Sequence, residues 1–171
     1  MEIKAIVYTS NTGHTEKYAR MLGEKIGLPV YSLEKAQKTM PSAQKIIYLG
    51  WVCASKIKGY DKAVKLYDIA AVCGVCMGAT GSQLSEIRRV NSVAEHIPVF
   101  TMRGGVDYKK LRGLNKLILK AVTKGAANNL AANTEHTEEE RIMLELMVHG
   151  GNCVCEDALA ALLEWYEGCK G

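Results

Sequence analysis

Short apolar segments alternate with helical segments along the first two thirds of the chain, and this alternation constrains the fold more than any other feature. Five segments carry the β-branched or small apolar side chains of buried strands: residues 3–8, 29–31, 45–49, 70–77 and 98–101. Strands that alternate with helices favour a parallel sheet covered on both faces. The sequence therefore predicts an α/β fold, a three-layer sandwich built on five parallel strands.

Three segments between or after these strands have apolar side chains at helical spacing. The predicted inward-facing positions are Tyr18, Ala19, Leu22 and Ile26 in the first helix, Leu84, Ile87, Val93 and Ala94 in a helix over residues 83–96, and Leu111, Leu114, Ile118 and Val122 in the helix after the fifth strand. We expect these faces to pack on the sheet.

The last third of the chain has a different pattern. Residues 125–136 are small and polar, which is typical of a loop. Thr137–Glu140 has the sequence of a capping box and precedes two further helical stripes. The apolar positions of these stripes are Ile142, Leu146 and Met147 in one helix, and Leu159, Leu162, Leu163 and Tyr166 in the other. We predict a main domain over residues 1–124 and a helical extension over residues 125–171 that packs on it.

Length and composition limit the classes of function. A chain of 171 residues with 48% hydrophobic and 23% charged residues suits one globular domain. The net charge of +4 is too small for a dedicated nucleic-acid binder, so nucleic acid is not an expected partner. No apolar run reaches the roughly 18 residues of a membrane span, and no export signal is recognised. We therefore expect a cytoplasmic protein with reduced cysteines.

The segment between the first strand and the first helix, Ser10–Thr15, is the strongest candidate for a binding site. It combines hydroxyl side chains and a glycine with the unpaired N–H groups of a helix start, which together favour an anion such as phosphate. It has neither the lysine of a Walker loop nor the glycines of a dinucleotide turn. A hydroxyl-rich helix cap without a ligand is the alternative interpretation of these residues.

The pattern Ser10-x-Thr12-Gly13-x-Thr15 resembles the flavodoxin fingerprint at each of its fixed positions. The resemblance covers about residues 2–124 and implies a flavodoxin-like sheet in the order 2-1-3-4-5, with FMN at the carboxyl ends of the strands. Residues 53–59 and 102–108 are similar to the short-chain flavodoxin-domain group that includes the FMN-dependent protoporphyrinogen oxidase of bacteria. Flavodoxins that act as simple electron carriers are strongly acidic, unlike this chain.

The resemblance implies a set of FMN-binding residues in three loops. They are Thr9, Ser10, Asn11, Thr12, Gly13, His14 and Thr15 for the phosphate, and Trp51, Val52, Ala54, Ser55, Lys56, Met77, Gly78, Ala79, Thr80 and Gly81 for the ring. Trp51 is predicted to stack on the ring or, alternatively, to be a half-buried aromatic at a strand end. No catalytic residue is assigned, because the flavin itself would carry out the redox chemistry.

The predicted function is that of an FMN-binding flavoprotein in electron transfer or oxidoreduction. The sequence does not identify the electron donor and acceptor, each of which is a redox partner protein or a small molecule. It also does not decide between an NAD(P)H-linked reductase and a porphyrinogen-type oxidase. The alternative is a non-catalytic interaction or metal-binding domain on the same fold. The oligomeric state and the role of the extension are not predicted.

Two further groups of residues have alternative interpretations. Cys73 and Cys76 have the spacing of a metal or redox motif, but they lie three apart in a predicted strand and would point to opposite faces. We interpret them, with Cys153 and Cys155, as small buried hydrophobes. Seven basic residues against one acidic residue lie between positions 103 and 124. The helix over 109–124 is therefore a candidate for peripheral contact with anionic lipid or an acidic protein. The alternative interpretation is a solvated helix face. Arg103 is the one of these basic residues that could reach the ligand-binding cleft.

Overall fold

A computed structural model describes residues 2–110, 125 and 137–169. The strands are β1 (Ala5–Thr9), β2 (Val30–Ser32), β3 (Lys45–Cys53), β4 (Lys56–Ile57), β5 (Asp68–Cys76), β6 (Val99–Arg103), β7 (Gly105–Val106) and β8 (Gly151–Asn152). The helices are α1 (His14–Ile26), α2 (Leu33–Thr39), α3 (Tyr60–Leu66), α4 (Leu84–Val90), α5 (Glu138–His149) and α6 (Ala160–Gly168), with a 3-10 turn at Asp157–Leu159.

Five parallel strands form the sheet in the order β2-β1-β3-β5-β6. The order confirms the predicted 2-1-3-4-5 arrangement, because β5 and β6 are the fourth and fifth predicted strands. The helix predicted around Leu111–Val122, the loop at 126–136 and most of the basic segment lie outside the described residues. Within the described part, no helix combines the length and the apolar character that crossing a membrane requires.

Side chains that alternate along the strands divide the core into two clusters, one on each face of the sheet. On one face, Val7, Tyr48 and Val72 pack with α2, α3 and α4. On the other face, Leu49 and Cys73 pack with α1 and α6. The predicted three-layer α/β sandwich is thus confirmed, with a C-terminal helix in one of its outer layers.

Helix α1 has the predicted inner face, since Tyr18, Ala19 and Leu22 are buried. The predicted C-terminal stripe is also buried: Leu159 in the 3-10 turn and Leu162 and Tyr166 in α6 are buried, and Leu163 is partly buried. The capping box at the start of α5 is confirmed, because the Thr137 hydroxyl accepts from the backbone of Glu140 and the Glu140 carboxylate accepts from the backbone of Thr137.

The predicted helix over residues 83–96 was wrong in its length, because α4 ends at Val90. Ser92 has a left-handed backbone with φ of 50°, which ends the helical geometry. The Arg88 guanidinium then donates to the carbonyls of Val93, Ala94 and Ile97 and holds the following residues as a loop. Ala94 is exposed and Leu84 is 37% exposed, so neither has the predicted inward position.

Helices α2 and α3 were not predicted, and neither were the two short antiparallel pairings. Each of these helices has seven residues and buries only two of them, which is too few for a clear periodic pattern. Strand β4 folds back on β3 as a tight hairpin. Strands β7 and β8 form a separate two-stranded ribbon that joins the end of β6 to the C-terminal part of the chain.

Candidate functional site

A cleft lies at the carboxyl edge of the parallel sheet, where the segments after β1, β3, β5 and β6 meet. Its wall consists of Ser10, Asn11, Thr12, His14, Thr15, Trp51, Val52, Val75, Cys76, Met77, Gly105 and Val106. Ligands of open α/β sheets bind at this edge, next to the point where the strand order reverses, which here lies between β1 and β3. The fold therefore places the cleft where a ligand is expected.

The hydroxyl-rich loop forms one end of the cleft. Gly13 precedes α1 with φ of 99°, a left-handed conformation that favours glycine, and its N–H donates to Ser10 Oγ at 3.1 Å. The first N–H groups of a helix have no partner inside the helix, and among the described side chains none caps α1. This end of the cleft therefore offers backbone donors and the positive end of a helix dipole to an anion.

His14 is buried within this loop, although it is the first residue of α1. Its Nδ1 lies 2.9 Å from Thr12 Oγ1, and the backbone of Gly151 in β8 lies near the ring. Burial lowers the pKa of His14, Lys17 and Lys110 lower it further, and Asp107 and Gly151 oppose them. The imidazole thus lies between the loop and the β7–β8 ribbon.

Gly105 makes this junction possible. A Cβ atom at Gly105 would lie 2.1 Å from the carbonyl oxygen of Gly151 and 2.9 Å from His14 Nε2. Any larger residue would displace the Gly151 backbone or the imidazole ring.

Another part of the lining, from the ends of β3 and β5, forms an apolar wall. Trp51 and Val52 come from the end of β3, and Val75 and Met77 come from the end of β5. The ammonium group of Lys58 lies 5.6 Å from the centroid of the Trp51 ring, within the range of a cation–π contact. The cleft thus combines a polar end with an aromatic and aliphatic wall.

Three predicted ring-site residues lie in the β3–β4 hairpin beyond this wall. Ala54 and Ser55 form its two-residue turn with φ of 48° and 60°, the positive values of a type I′ turn. Lys56 is exposed and pairs with Asp61 at 3.0 Å. The structure brings none of these three side chains into the lining of the cleft.

The loop after β5 contributes only Met77 to the lining, whereas Gly78, Ala79, Thr80 and Gly81 fold over the end of β6. Thr80 Oγ1 accepts from the backbone N–H of Arg103 at 3.1 Å, and the N–H of Gly81 donates to the Thr101 carbonyl at 3.0 Å. The Arg103 side chain donates to the Gly78 carbonyl at 3.4 Å and pairs with Glu139 in α5. Arg103 therefore fixes this loop beside the cleft instead of entering it.

Thr9 has a different surrounding from the rest of the predicted loop. Its hydroxyl hydrogen-bonds to the buried Tyr48 hydroxyl at 2.7 Å, and it faces a second, polar groove that Ser10 also lines. Thr9 thus supports the end of β1 from the side of α2 and α3 and does not line the cleft.

The prediction that Cys73, Cys76, Cys153 and Cys155 are buried was wrong for Cys155, which is exposed, whereas Cys76 and Cys153 are half-buried. Cys73 is buried in the core between the sheet and α1, and burial raises the pKa of its thiol. Cys76 lines the cleft, and burial also raises the pKa of this thiol. Among the described His, Cys, Asp and Glu residues, no group of three or more is placed to hold a metal ion.

Four lining residues were not predicted: Val75, Cys76, Gly105 and Val106. Val75 and Cys76 were assigned to the interior of a strand, and the sequence does not show where a buried strand reaches the edge of its sheet. Gly104 and Gly105, directly after an apolar strand, are a usable signal for a close approach of the backbone.

Comparison with protein families gives one result that agrees with this geometry. The family model described as flavodoxin domain matches residues 5–132, well over half of the chain. The comparisons with curated proteins and with solved structures gave no match. The chain therefore belongs to the flavodoxin domain family, which suggests a flavin-binding role in electron transfer.

Proposed function

We propose that this protein binds FMN in the cleft and transfers electrons through it to or from a redox partner. The observation that carries the proposal is that the start of α1, which no described side chain caps, lines the same cleft as apolar residues that include Trp51. A mononucleotide flavin has the same two parts, a dianionic phosphate and a large planar ring. A bound flavin would supply hydride or single-electron transfer at its ring.

The residues at the polar end fit a phosphate, although the described lining of the cleft contains no lysine or arginine. Thr12, Thr15 and Ser10 line the cleft beside the first N–H groups of α1. Hydroxyl and amide donors that point at an anion form strong, charge-assisted hydrogen bonds. These residues would hold and orient the phosphate and thereby fix the position of the ring.

The residues of the wall fit the ring. Trp51, Val52 and Met77 offer an aromatic face, a branched side chain and a polarisable thioether. Such a wall would exclude water from one side of the ring and hold it by stacking. Lys58, next to Trp51, would place a positive charge near the ring and favour its anionic reduced form.

Titration with FMN and with riboflavin tests the proposal. Riboflavin lacks the phosphate, so we expect FMN to bind at least about tenfold more tightly. Two hydrogen bonds to a charged group contribute about 3–6 kcal/mol, so the double variant T12V/T15V should weaken FMN binding by about 100-fold or more and riboflavin binding far less. Binding is followed by the quenching of flavin fluorescence.

The matched control is T39V, which changes an exposed threonine at the end of α2, remote from the cleft lining. This variant should bind FMN like the unchanged protein. Equal affinity for FMN and riboflavin would contradict the role of the loop, and no saturable binding of either flavin would overturn the proposal.

A further inference from the structure

The imidazole of His14 is placed between two oxygen atoms that come from different parts of the chain. On one side, Nδ1 lies 2.9 Å from the hydroxyl oxygen of Thr12. On the other side, the backbone of Gly151 lies beside the ring and favours its charged form. Only an acceptor favours the charged form of a histidine, so the Gly151 group that faces the ring is the carbonyl.

The surroundings of Gly105 show which ring nitrogen lies on the side of the Gly151 carbonyl. One point, the position of a Cβ on Gly105, lies 2.1 Å from the Gly151 oxygen and 2.9 Å from His14 Nε2. The Gly151 oxygen therefore lies on the Nε2 side of the ring, which favours the tautomer that carries its proton on Nε2. In a neutral ring the remaining nitrogen, Nδ1, carries a lone pair, and the Thr12 hydroxyl must donate to it.

A phosphate in the loop changes the direction of the Thr12 hydrogen bond. A hydroxyl has one proton, and a dianionic phosphate accepts hydrogen bonds without donating them. When Thr12 donates its proton to the phosphate, its oxygen can only accept from Nδ1. Both ring nitrogens then face acceptors, and a neutral imidazole cannot donate to both.

We propose that binding of the FMN phosphate is coupled to the uptake of one proton by His14, so that the imidazolium supplies the cationic charge of a phosphate site whose described lining has no lysine or arginine. The proton comes from the solvent and goes to Nδ1, while the Thr12 hydroxyl proton turns from Nδ1 to a phosphate oxygen. No other bond changes. The inference rests on the proposed FMN binding and adds a proton linkage to it.

The charges around His14 agree with a ring that is neutral without the ligand and charged with it. Lys17 on α1 and Lys110 after β7 oppose the imidazolium, whereas Asp107 after β7 and the Gly151 carbonyl in β8 favour it. Burial also opposes the charge. The phosphate adds two negative charges to this balance, which raises the pKa of His14 in the complex.

The sign of the pH dependence follows from these two states. Between the lower pKa of the free protein and the higher pKa of the complex, the complex binds one more proton, so FMN affinity falls as the pH rises. The slope reaches about tenfold per pH unit at most. The phosphate has its own pKa of about 6, so the linkage is measured above that value.

Calorimetric titration with FMN measures the proton uptake directly. Titrations in buffers of different ionisation enthalpy, over the range of about pH 6.5 to 8.5, give the number of protons bound. We expect uptake that approaches about one proton per FMN within this range. The variant H14N keeps an amide donor near the Nδ1 position but cannot titrate, so it should bind FMN with no uptake and a flatter pH profile.

NMR of the histidine rings gives a measurement that does not depend on a variant in the loop. The nitrogen shifts of His14 should change from one protonated nitrogen to two when FMN is added. Replacing His96, His136 and His149 by Gln, one at a time, assigns the signals. This observation decides the question even if H14N does not fold.

The outcomes separate the linkage from the proposed function. FMN binding without proton uptake at any pH of the range, or with undiminished uptake in H14N, would overturn the linkage and leave FMN binding intact. An imidazole that stays neutral in the complex would do the same. The absence of FMN binding would overturn both.

Discussion

The side-chain Oδ1 of Asn91 accepts a hydrogen bond from the backbone N–H of Ile57 at 2.8 Å. The Nδ2 group of the same buried side chain donates to the carbonyls of Ser55 and Ile87, each at 2.8 Å. One asparagine after α4 therefore fixes the turn and the returning strand β4 of the β3–β4 hairpin, and this turn has two non-glycine residues with positive φ. The hairpin continues the strand that carries Trp51, so Asn91 supports the cleft wall from behind.

The variant N91A should destabilise the protein by about 2–3 kcal/mol, because it leaves the buried N–H of Ile57 and the carbonyl of Ser55 without this partner. Urea unfolding measures the loss. The matched control S85A changes an exposed side chain on α4, the helix before Asn91, and should alter the free energy of unfolding by less than about 0.5 kcal/mol. Equal stability of N91A and the unchanged protein would contradict the role of Asn91.

The layered fold could be predicted because its signals are local and repeated. The strand at β3 and the face of α1 with Tyr18 and Leu22 each carry their own pattern, and the alternation of such segments favours a parallel sheet. Helix α4 was predicted too long because its end depends on the left-handed backbone of Ser92 and on the hydrogen bonds of Arg88. The spacing of apolar residues shows neither of these features.

The variant G13A tests the backbone geometry of the loop. A Cβ at Gly13 would meet no atom within 4 Å, so steric contact is not the expected cost. The backbone of Gly13 is left-handed, with φ of 99°, and alanine is strained in this conformation. G13A should therefore lower the free energy of unfolding by about 1–2 kcal/mol.

The control for this variant is G168A at the end of α6, which also has open space around its Cβ position but no positive φ. It should leave the free energy of unfolding unchanged or raise it by up to about 1 kcal/mol, since alanine favours a helix. If urea unfolding gave both variants the same change, the conformational argument for Gly13 would fail.

The cleft could be predicted in part. Ser10–Thr15 form a contiguous motif, and five of these six residues line the cleft, with Gly13 shaping the turn. The ring-site residues were harder to predict from the sequence, because β3 continues to Cys53 and then turns back as a hairpin. Whether β3 ends at Leu49 or continues depends on its pairing with a neighbouring strand, here β4. The contribution of Gly105 depends on a contact with Gly151 across the ribbon, which no local pattern shows.

FMN should protect Cys76 from alkylation more than Cys153, if the flavin occupies the cleft. Both thiols are half-buried, but only Cys76 lines the cleft. Mass spectrometry after timed iodoacetamide treatment measures each cysteine. In the free protein, the exposed Cys155 and Cys169 should react first and the buried Cys73 last, because burial raises the pKa of its thiol. Equal protection of Cys76 and Cys153 would place the flavin elsewhere.

The Tyr18 hydroxyl links α1 to the ends of two other segments. It donates to the Arg103 carbonyl at 2.6 Å and accepts from the backbone N–H of Cys155 at 3.4 Å. Burial raises the pKa of Tyr18 from 10.0 to about 12, against the opposing hydrogen bond from Cys155. Between these two pH values the unfolded chain loses the phenol proton while the folded chain keeps it. The stability that this group contributes is therefore present below pH 10 and is lost as the pH rises toward 12.

The variant Y18F should remove this part of the pH dependence. At neutral pH we expect it to be less stable by about 1 kcal/mol, because the Arg103 carbonyl and the Cys155 N–H lose a hydrogen-bond partner. Between pH 10 and pH 12 the unchanged protein should lose more stability than Y18F, so the difference between the two should shrink. Urea unfolding across this range measures both curves, and a constant difference would show that the Tyr18 hydroxyl titrates alike in the folded and unfolded chains.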